Sequence, residues 1–143
     1  MDKYEVLKLG NQICFPLYVC SKEIVKRYTP FLEEIDLTYT QYITMMVLWE
    51  NKEMNVKKLG RHLYLDSGTL TPVLKKLEQK GYVTRKRDTK DERVLNVAVT
   101  AAGFDLREKA AAIPEKIGEY VELSQEDATK LNEILSKILK KFE

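Results

Sequence analysis

Residues 66–100, DSGTLTPVLKKLEQKGYVTRKRDTKDERVLNVAVT, constrain the fold more than any other part of the chain. Leu70, Val73, Leu74 and Leu77 fall at i, i+3, i+4 and i+7, one apolar stripe of a helix. At about 100° per residue, Gly68, Pro72, Lys75 and Gln79 lie opposite that stripe, with Thr69, Thr71 and Lys76 on its flanks. The outward face carries hydroxyls and ammonium groups and no carboxylate, which suits a helix lying in a major groove. Taken alone, the same face could equally be solvated surface. Gly81 is the expected left-handed residue behind the helix. Residues 82–87 alternate as a strand, 88–92 are rich in turn-formers, and 94–99 return as a β-branched strand. Arg85, Lys86, Arg87, Lys90 and Arg93 crowd into nine residues against three acids. A basic hairpin directly behind a groove-sized helix predicts a winged helix-turn-helix, mainly α with a small β-hairpin. Its expected DNA-facing residues are Ser67, Gly68, Thr69, Thr71, Pro72, Lys75, Lys76, Arg85, Lys86, Arg87, Lys90 and Arg93. Lys75 is expected in the major groove, and Arg93, at the wing tip, in the adjacent minor groove.

The rest of the composition narrows the function. With 143 residues the chain is one domain's worth, and 24 basic residues stand against 22 acidic ones. Basicity is therefore local, which argues against a protein that coats polyanions. No apolar run approaches the length that spans a bilayer, and the start, MDKYEVLKLG, lacks the apolar core of a signal peptide. A cytoplasmic chain with no membrane partner is expected, its two cysteines reduced thiols. His62 is the single histidine and no Cys or His pair has metal spacing, so neither a zinc site nor a cofactor is expected. Gly60, Gly68, Gly81 and Gly103 are isolated and make no phosphate-binding loop. No enzyme's constellation is visible, and His62 reads as a surface or boundary residue.

Outside the central segment the chain reads as helical. A first helix is expected from Asn11 to about residue 28, continuing brokenly past Pro30 toward Ile35. Pro16 in its early turns should bend or delay it. The run from residue 39 to 49 is strongly apolar and is expected to be the buried centre. Asn55 should cap a helix through Leu63, with Val56, Leu59, Gly60 and Leu63 on one face and Gly60 admitting a neighbouring helix closely. Tyr64 and Leu65 form the turn and Asp66 caps the next helix. Pro72 fits awkwardly: either that helix starts late or it is distorted near Thr71. Thr100 should cap a helix over about 101–112, interrupted at Pro114. Ser124 opens the last helix with a carboxylate at its third position and a stripe of Ala128, Leu131, Leu135, Ile138 and Phe142. The organisation is thus a single domain, 1–143, with dimerisation helices over about 1–35 and 113–143 and a winged-helix core over about 38–100. The arms could close over their own core. Since such readers usually bind two half-sites, a homodimer on double-stranded operator DNA is the economical expectation.

Residues 63–72, LYLDSGTLTP, with Leu74-Lys75-Lys76-Leu77-Glu78 and Asp91-Glu92-Arg93, resemble the MarR family of bacterial regulators. Asn11-Gln12-Ile13-Cys14-Phe15, Tyr28-Thr29-Pro30 and the run from Leu37 to Tyr42 resemble its organic-hydroperoxide-sensing, OhrR-type branch, related to SarZ- and MgrA-type regulators. The resemblance covers almost the whole chain. It implies a dimeric winged-helix repressor released from operator DNA when organic hydroperoxide oxidises the sulfur at Cys14. It also implies that Tyr28 and Tyr39 donate hydrogen bonds to that sulfur from the opposite subunit. The second cysteine of two-cysteine members lies near the C-terminus, where this chain has none. Capping of the oxidised sulfur by a low-molecular-weight thiol is therefore implied.

The residues themselves make that chemistry reasonable. A thiol attacks peroxide as thiolate, and a helix N-terminus favours the anion. If Asn11 caps the first helix, Cys14 sits at its third position. The plainer reading makes Cys14 one more small apolar residue between Ile13 and Phe15. Cys20 is about 9 Å further along the same helix and on another face, which excludes a disulfide between them. A structural role is expected for Cys20. Two other functions stay open. One is a repressor released by a phenolic or apolar ligand among Tyr18, Tyr39, Tyr42, Met45 and Met46, although core packing explains those residues as well. The other is a peroxide-consuming enzyme using Cys14, which leaves the wing unexplained and has no basic residue beside the thiol.

Overall fold

Short polar side chains decide where most of the helices begin. A computed structural model describes residues 2–143. In it Thr38, Asn55, Asp66, Thr100 and Ser124 each accept a hydrogen bond from the backbone N–H three residues on. Each satisfies one first-turn donor that has no partner within its helix. The helices they open are α2 (Tyr39–Asn51), α3 (Val56–Leu63), α4 (Ser67–Gln79), α5 (Ala101–Ala110) and α7 (Gln125–Leu139). Thr38 and Gln41 bond reciprocally in a complete capping box. The remaining two helices, α1 (Cys14–Glu33) and α6 (Ile113–Val121), start without a side-chain cap. Pro114 occupies the first turn of α6, where its missing N–H breaks no helical bond. It opens that helix as well as ending the one before it.

The first helix departs from expectation at both prolines. Two short 3₁₀ turns, Glu5–Leu7 and Leu9–Asn11, precede it. The Asn11 amide donates to the Glu5 carbonyl at 2.8 Å and caps nothing in α1. Starting at Cys14, α1 holds Pro16 in its first turn, so the proline neither bends nor interrupts it. Pro30 lies inside α1, which runs on unbroken to Glu33. The helix then ends on Asp36 at φ +54°, with the Leu37 N–H returning to the Leu32 carbonyl at 3.0 Å.

Three strands follow: β1 (Glu53–Asn55), β2 (Val83–Arg87) and β3 (Leu95–Val99), ordered β1-β3-β2 and antiparallel throughout. The hairpin is registered from Val83 opposite Val99 to Arg87 opposite Leu95. The α4–β2 joint is a Schellman ending. Gly81 sits at φ +82°, the Tyr82 N–H reaches the Leu77 carbonyl, and the Gly81 N–H reaches that of Glu78. The core gathers Met45 and Leu48 of α2, Leu59 of α3, Leu70, Leu74 and Leu77 of α4, and Val83 and Val97 of the sheet. Each such side chain contributes roughly 1.5–3 kcal/mol by leaving water. Burying one side of α4 in this way turns its other side outward. In contrast, α7 buries no residue.

Candidate nucleic-acid interface and thiol site

On the outward side of α4, Ser67, Gly68, Thr69, Pro72, Lys75 and Lys76 are exposed, and Thr71 is half-buried. The Asp66 carboxylate accepts the Thr69 N–H at 2.7 Å, and that bond holds it below the usual carboxylate range. The helix begins at Ser67, so Pro72 is inside it and the late start does not occur. Pro72 has no N–H to give the Gly68 carbonyl. One residue earlier, the Thr71 hydroxyl donates to the Ser67 carbonyl at 2.7 Å.

The wing is organised by carboxylates. One oxygen of Asp88 accepts the N–H groups of Lys90 and Asp91, each at 3.1 Å, and the other accepts the Asn96 amide at 3.0 Å. At the tip, Asp91 takes two bonds from the Arg93 guanidinium, at 3.0 and 3.2 Å. Those bonds lower the Asp91 carboxyl, and the Arg93 side chain stays 91% exposed. Lys86, Arg87 and Lys90 are exposed beside it. Arg85 differs from them. Its guanidinium donates to Glu78 of α4 at 3.0 and 3.3 Å, and its main-chain N–H donates to the same carboxylate at 3.1 Å. The half-buried Arg85 therefore ties the wing to α4.

Cys14 is the first residue of α1, not the third, and it is exposed together with Ile13 and Phe15. Cys20 is also free and exposed, so the protomer gives it no packed structural role. Tyr28 and Tyr39 do meet: their ring centroids are 5.0 Å apart, and Tyr42 joins them at 5.7 and 6.3 Å. Burial raises the Tyr28 hydroxyl above the ordinary phenol range, with Tyr39 and Tyr42 adding to the effect; burial raises Tyr42 as well. Both phenols therefore keep their protons at neutral pH and can donate. Tyr28 lies roughly 21 Å beyond Cys14 along α1, at 1.5 Å per residue. One protomer thus cannot bring its own thiol to its own tyrosines.

The residues proposed to line an apolar ligand pocket do not line a single cavity. Met45 belongs to the core and Tyr18 is exposed on α1. Tyr42 and Met46 share a cleft of about 170 Å³ with Trp49, Arg107, Ala110, Ala111 and Pro114. His62 is exposed near the end of α3. Among the described residues no group of His, Cys, Asp or Glu is arranged to hold a metal, and no helix is long and apolar enough to cross a membrane. Apolar side chains are exposed in two stretches: Val6, Leu7, Leu9, Ile13, Phe15 and Leu17 near the N-terminus, and Leu131, Ile134, Ile138, Leu139 and Phe142 near the C-terminus.

Two connections have no signature in the sequence: the bonds between Arg85 and Glu78, and those of Lys80, whose ammonium reaches Asp36 and Gln41. The i, i+7 spacing of Glu78 and Arg85 spans a helix end and a strand, so no single periodicity exposes the pair.

Residues 26–113 match the family described as transcriptional regulator SarA/Rot. The organic hydroperoxide resistance transcriptional regulator of Bacillus subtilis (strain 168) is 46% identical over 138 residues, 96% of this chain and 94% of its own. The HTH-type transcriptional regulator SarZ of Staphylococcus aureus (strain USA300) is 45% identical over 136 residues, 94% and 92% of the two chains. Among solved structures, reduced AbfR bound to DNA superposes with a TM-score of 0.79 at 36% identity, over 98% of each chain. Overoxidised AbfR bound to DNA gives 0.79 at 35% identity, over 99% of this chain and 100% of AbfR.

Proposed function

We propose, since the chain belongs to the MarR family of winged-helix transcriptional regulators in its organic-hydroperoxide-regulator and SarZ branch, that it is a redox-responsive repressor. As a homodimer in the cytoplasm it holds double-stranded operator DNA while Cys14 is reduced, and leaves it once an organic hydroperoxide oxidises that sulfur. The observation that carries this reading is the separation of the thiol from the tyrosines. An exposed thiol stands at one end of α1, and the Tyr28 and Tyr39 rings meet near the other. An antiparallel pairing of two copies joins each thiol to the other copy's Tyr28 and Tyr39.

The chemistry then follows. The Cys14 thiolate attacks the distal peroxide oxygen; an S–O bond forms, the O–O bond breaks, and the alcohol leaves with a proton. Cys14 becomes a sulfenic acid and the peroxide is reduced by two electrons. A low-molecular-weight thiol condenses with it, releasing water and leaving a mixed disulfide. Neither product accepts the two phenol hydrogen bonds as the thiolate does, so the contact between subunits is lost.

On DNA, Lys75 and Lys76 of α4 serve the major groove with Ser67, Thr69 and Thr71, while Lys86, Arg87, Lys90 and Arg93 serve the backbone and minor groove. Arg85 acts through Glu78 as a clamp. The cycle as proposed stops at the mixed disulfide, so the protein senses one equivalent of peroxide; turnover would require a second thiol to release Cys14 by exchange.

The test uses DNA selected by the reduced protein from a random pool. Cys14→Ser is expected to bind that DNA as the parent does and to stay bound after one equivalent of cumene hydroperoxide. Cys20→Ser is expected to release like the parent. Release of the Cys14→Ser variant, or peroxide consumption continuing well past one equivalent, would overturn the proposal.

A further inference from the structure

Lys80, the residue on which α4 ends, does not face solvent as a lysine at a helix terminus usually does. Its side chain is only 24% exposed. The ammonium donates to the Asp36 carbonyl at 2.5 Å and to Gln41 Oε1 at 3.1 Å, and lies 3.5 Å from the Asp36 carboxylate. Asp36 is the left-handed residue that ends α1, where unpaired carbonyls concentrate negative charge. Gln41 is the buried partner in the capping box of α2. Its Oε1 also accepts the Thr38 N–H at 3.1 Å, and its own N–H donates to Thr38 Oγ1 at 3.2 Å. One ammonium at the end of the recognition helix therefore grips the end of α1 and the start of α2 together. Tyr39 is the first residue of α2, inside that capping box, and it packs on Tyr28 at 5.0 Å.

We propose that Lys80 is a positioning residue that couples the tyrosine pair to the recognition helix. A displacement of Tyr39 moves the Thr38–Gln41 box, the box moves Lys80, and Lys80 moves the C-terminal turn of α4. Two residues earlier on that turn, Glu78 holds Arg85, so the wing follows. The inference rests on the redox-repressor reading above and adds the route by which the site reaches DNA.

Coupling between two sites is reciprocal: if the state of the thiol changes DNA affinity, bound DNA changes the environment of the thiol. The experiment measures the equilibrium constant for mixed-disulfide formation between Cys14 and 2-hydroxyethyl disulfide, in a Cys20→Ser background, with and without saturating selected DNA. In the Lys80-containing protein DNA is expected to change that constant by about fivefold or more. Lys80→Met keeps the aliphatic stem and removes the donors; DNA is expected to change its constant by less than about twofold at unaltered reduced-state DNA affinity. Lys80→Arg is expected to restore the effect. If Lys80→Met fails to fold, Lys80→Gln is read in the same way. A DNA effect undiminished in the variant, or no DNA effect in the Lys80-containing protein, overturns the coupling. Failure of the reduced protein to select DNA at all overturns the redox-repressor reading instead.

Discussion

Glu78 accepts three hydrogen bonds from one residue, the main-chain N–H and two guanidinium donors of Arg85. These charge-assisted bonds, led by the side-chain ones, hold its carboxyl below the ordinary 4.5 of a glutamate. A carboxyl depressed in the folded state stabilises the fold above its unfolded value, and that contribution is lost as pH falls through the folded value. The clamp's contribution should therefore be full at neutral pH, begin to fall near pH 4.5 and vanish only below the depressed folded value. Glu78→Gln is expected to be less stable than the parent at about pH 7, with a narrower gap at about pH 3. Urea midpoints of the two proteins at both pH values check it, and a gap equal at both would mean the contact is not ionic. The same carboxylate changes the role of a cation: Arg85 is held against α4, while Lys86, Arg87 and Lys90 stay exposed beside it. Arg93 is held too, but by Asp91 at the wing tip, which orients its guanidinium without covering it.

The helix-turn-helix depends on how closely its turn passes α3. A Cβ at Gly60 would stand 2.7 Å from the Leu65 carbonyl oxygen, a backbone atom, while the Leu65 N–H bonds the Gly60 carbonyl at 2.9 Å. Helix propensity alone favours Gly60→Ala by about 1 kcal/mol, but the backbone cannot yield as a side-chain tip would. The substitution is expected to destabilise the protein by roughly 1–3 kcal/mol, and to weaken DNA binding beyond the loss of folded protein because α4 tilts with the turn. Urea unfolding that shows a gain of stability would mean the turn has slack. The need for a close approach at Gly60 was legible, although the turn and not a neighbouring helix makes it; the caps at Asn55, Asp66, Thr100 and Ser124 and the left-handed Gly81 were legible because their signals act over a few residues. The hairpin was legible for the same reason. β1 was not: three residues carry no alternation, and Glu53–Asn55 becomes a strand only by pairing with distant residues of β3. Asn11 misled the placement of the first helix because a 3₁₀ turn, not a helix, uses its side chain. The outward face of α4 could be read from helical period, whereas Lys80 with Gln41 depends on how α4 crosses the α1–α2 corner. The distance from Cys14 to Tyr28 likewise needed the unbroken length of α1, which Pro30 had seemed to interrupt.

At the scale of the molecule, two apolar stretches stay exposed within one chain. α7 buries no residue and exposes Leu131, Ile134, Ile138 and Leu139, and the N-terminal segment exposes Ile13, Phe15 and Leu17. Exposed apolar surface of this extent marks an interaction site, and a net charge of only +2 offers little repulsion between copies. Two copies associating through these arms would also place two recognition helices on one DNA. Each protomer that docks neutralises its own set of phosphates, and the logarithm of affinity falls with the logarithm of salt at about −0.9 per phosphate. A dimer should therefore show about twice the salt slope of a lone winged helix. Removing residues 122–143 takes away α7 while leaving every buried side chain in place. The shortened chain is expected to sediment as a monomer, to stay folded, and to bind selected DNA with about half the parent's salt slope. The parent should sediment as a dimer at the same concentration. Leu131→Glu with Ile138→Glu in the full chain tests the same surface without shortening it. If both altered proteins remain dimers with the parent's slope, the subunits meet elsewhere and α7 packs for another purpose.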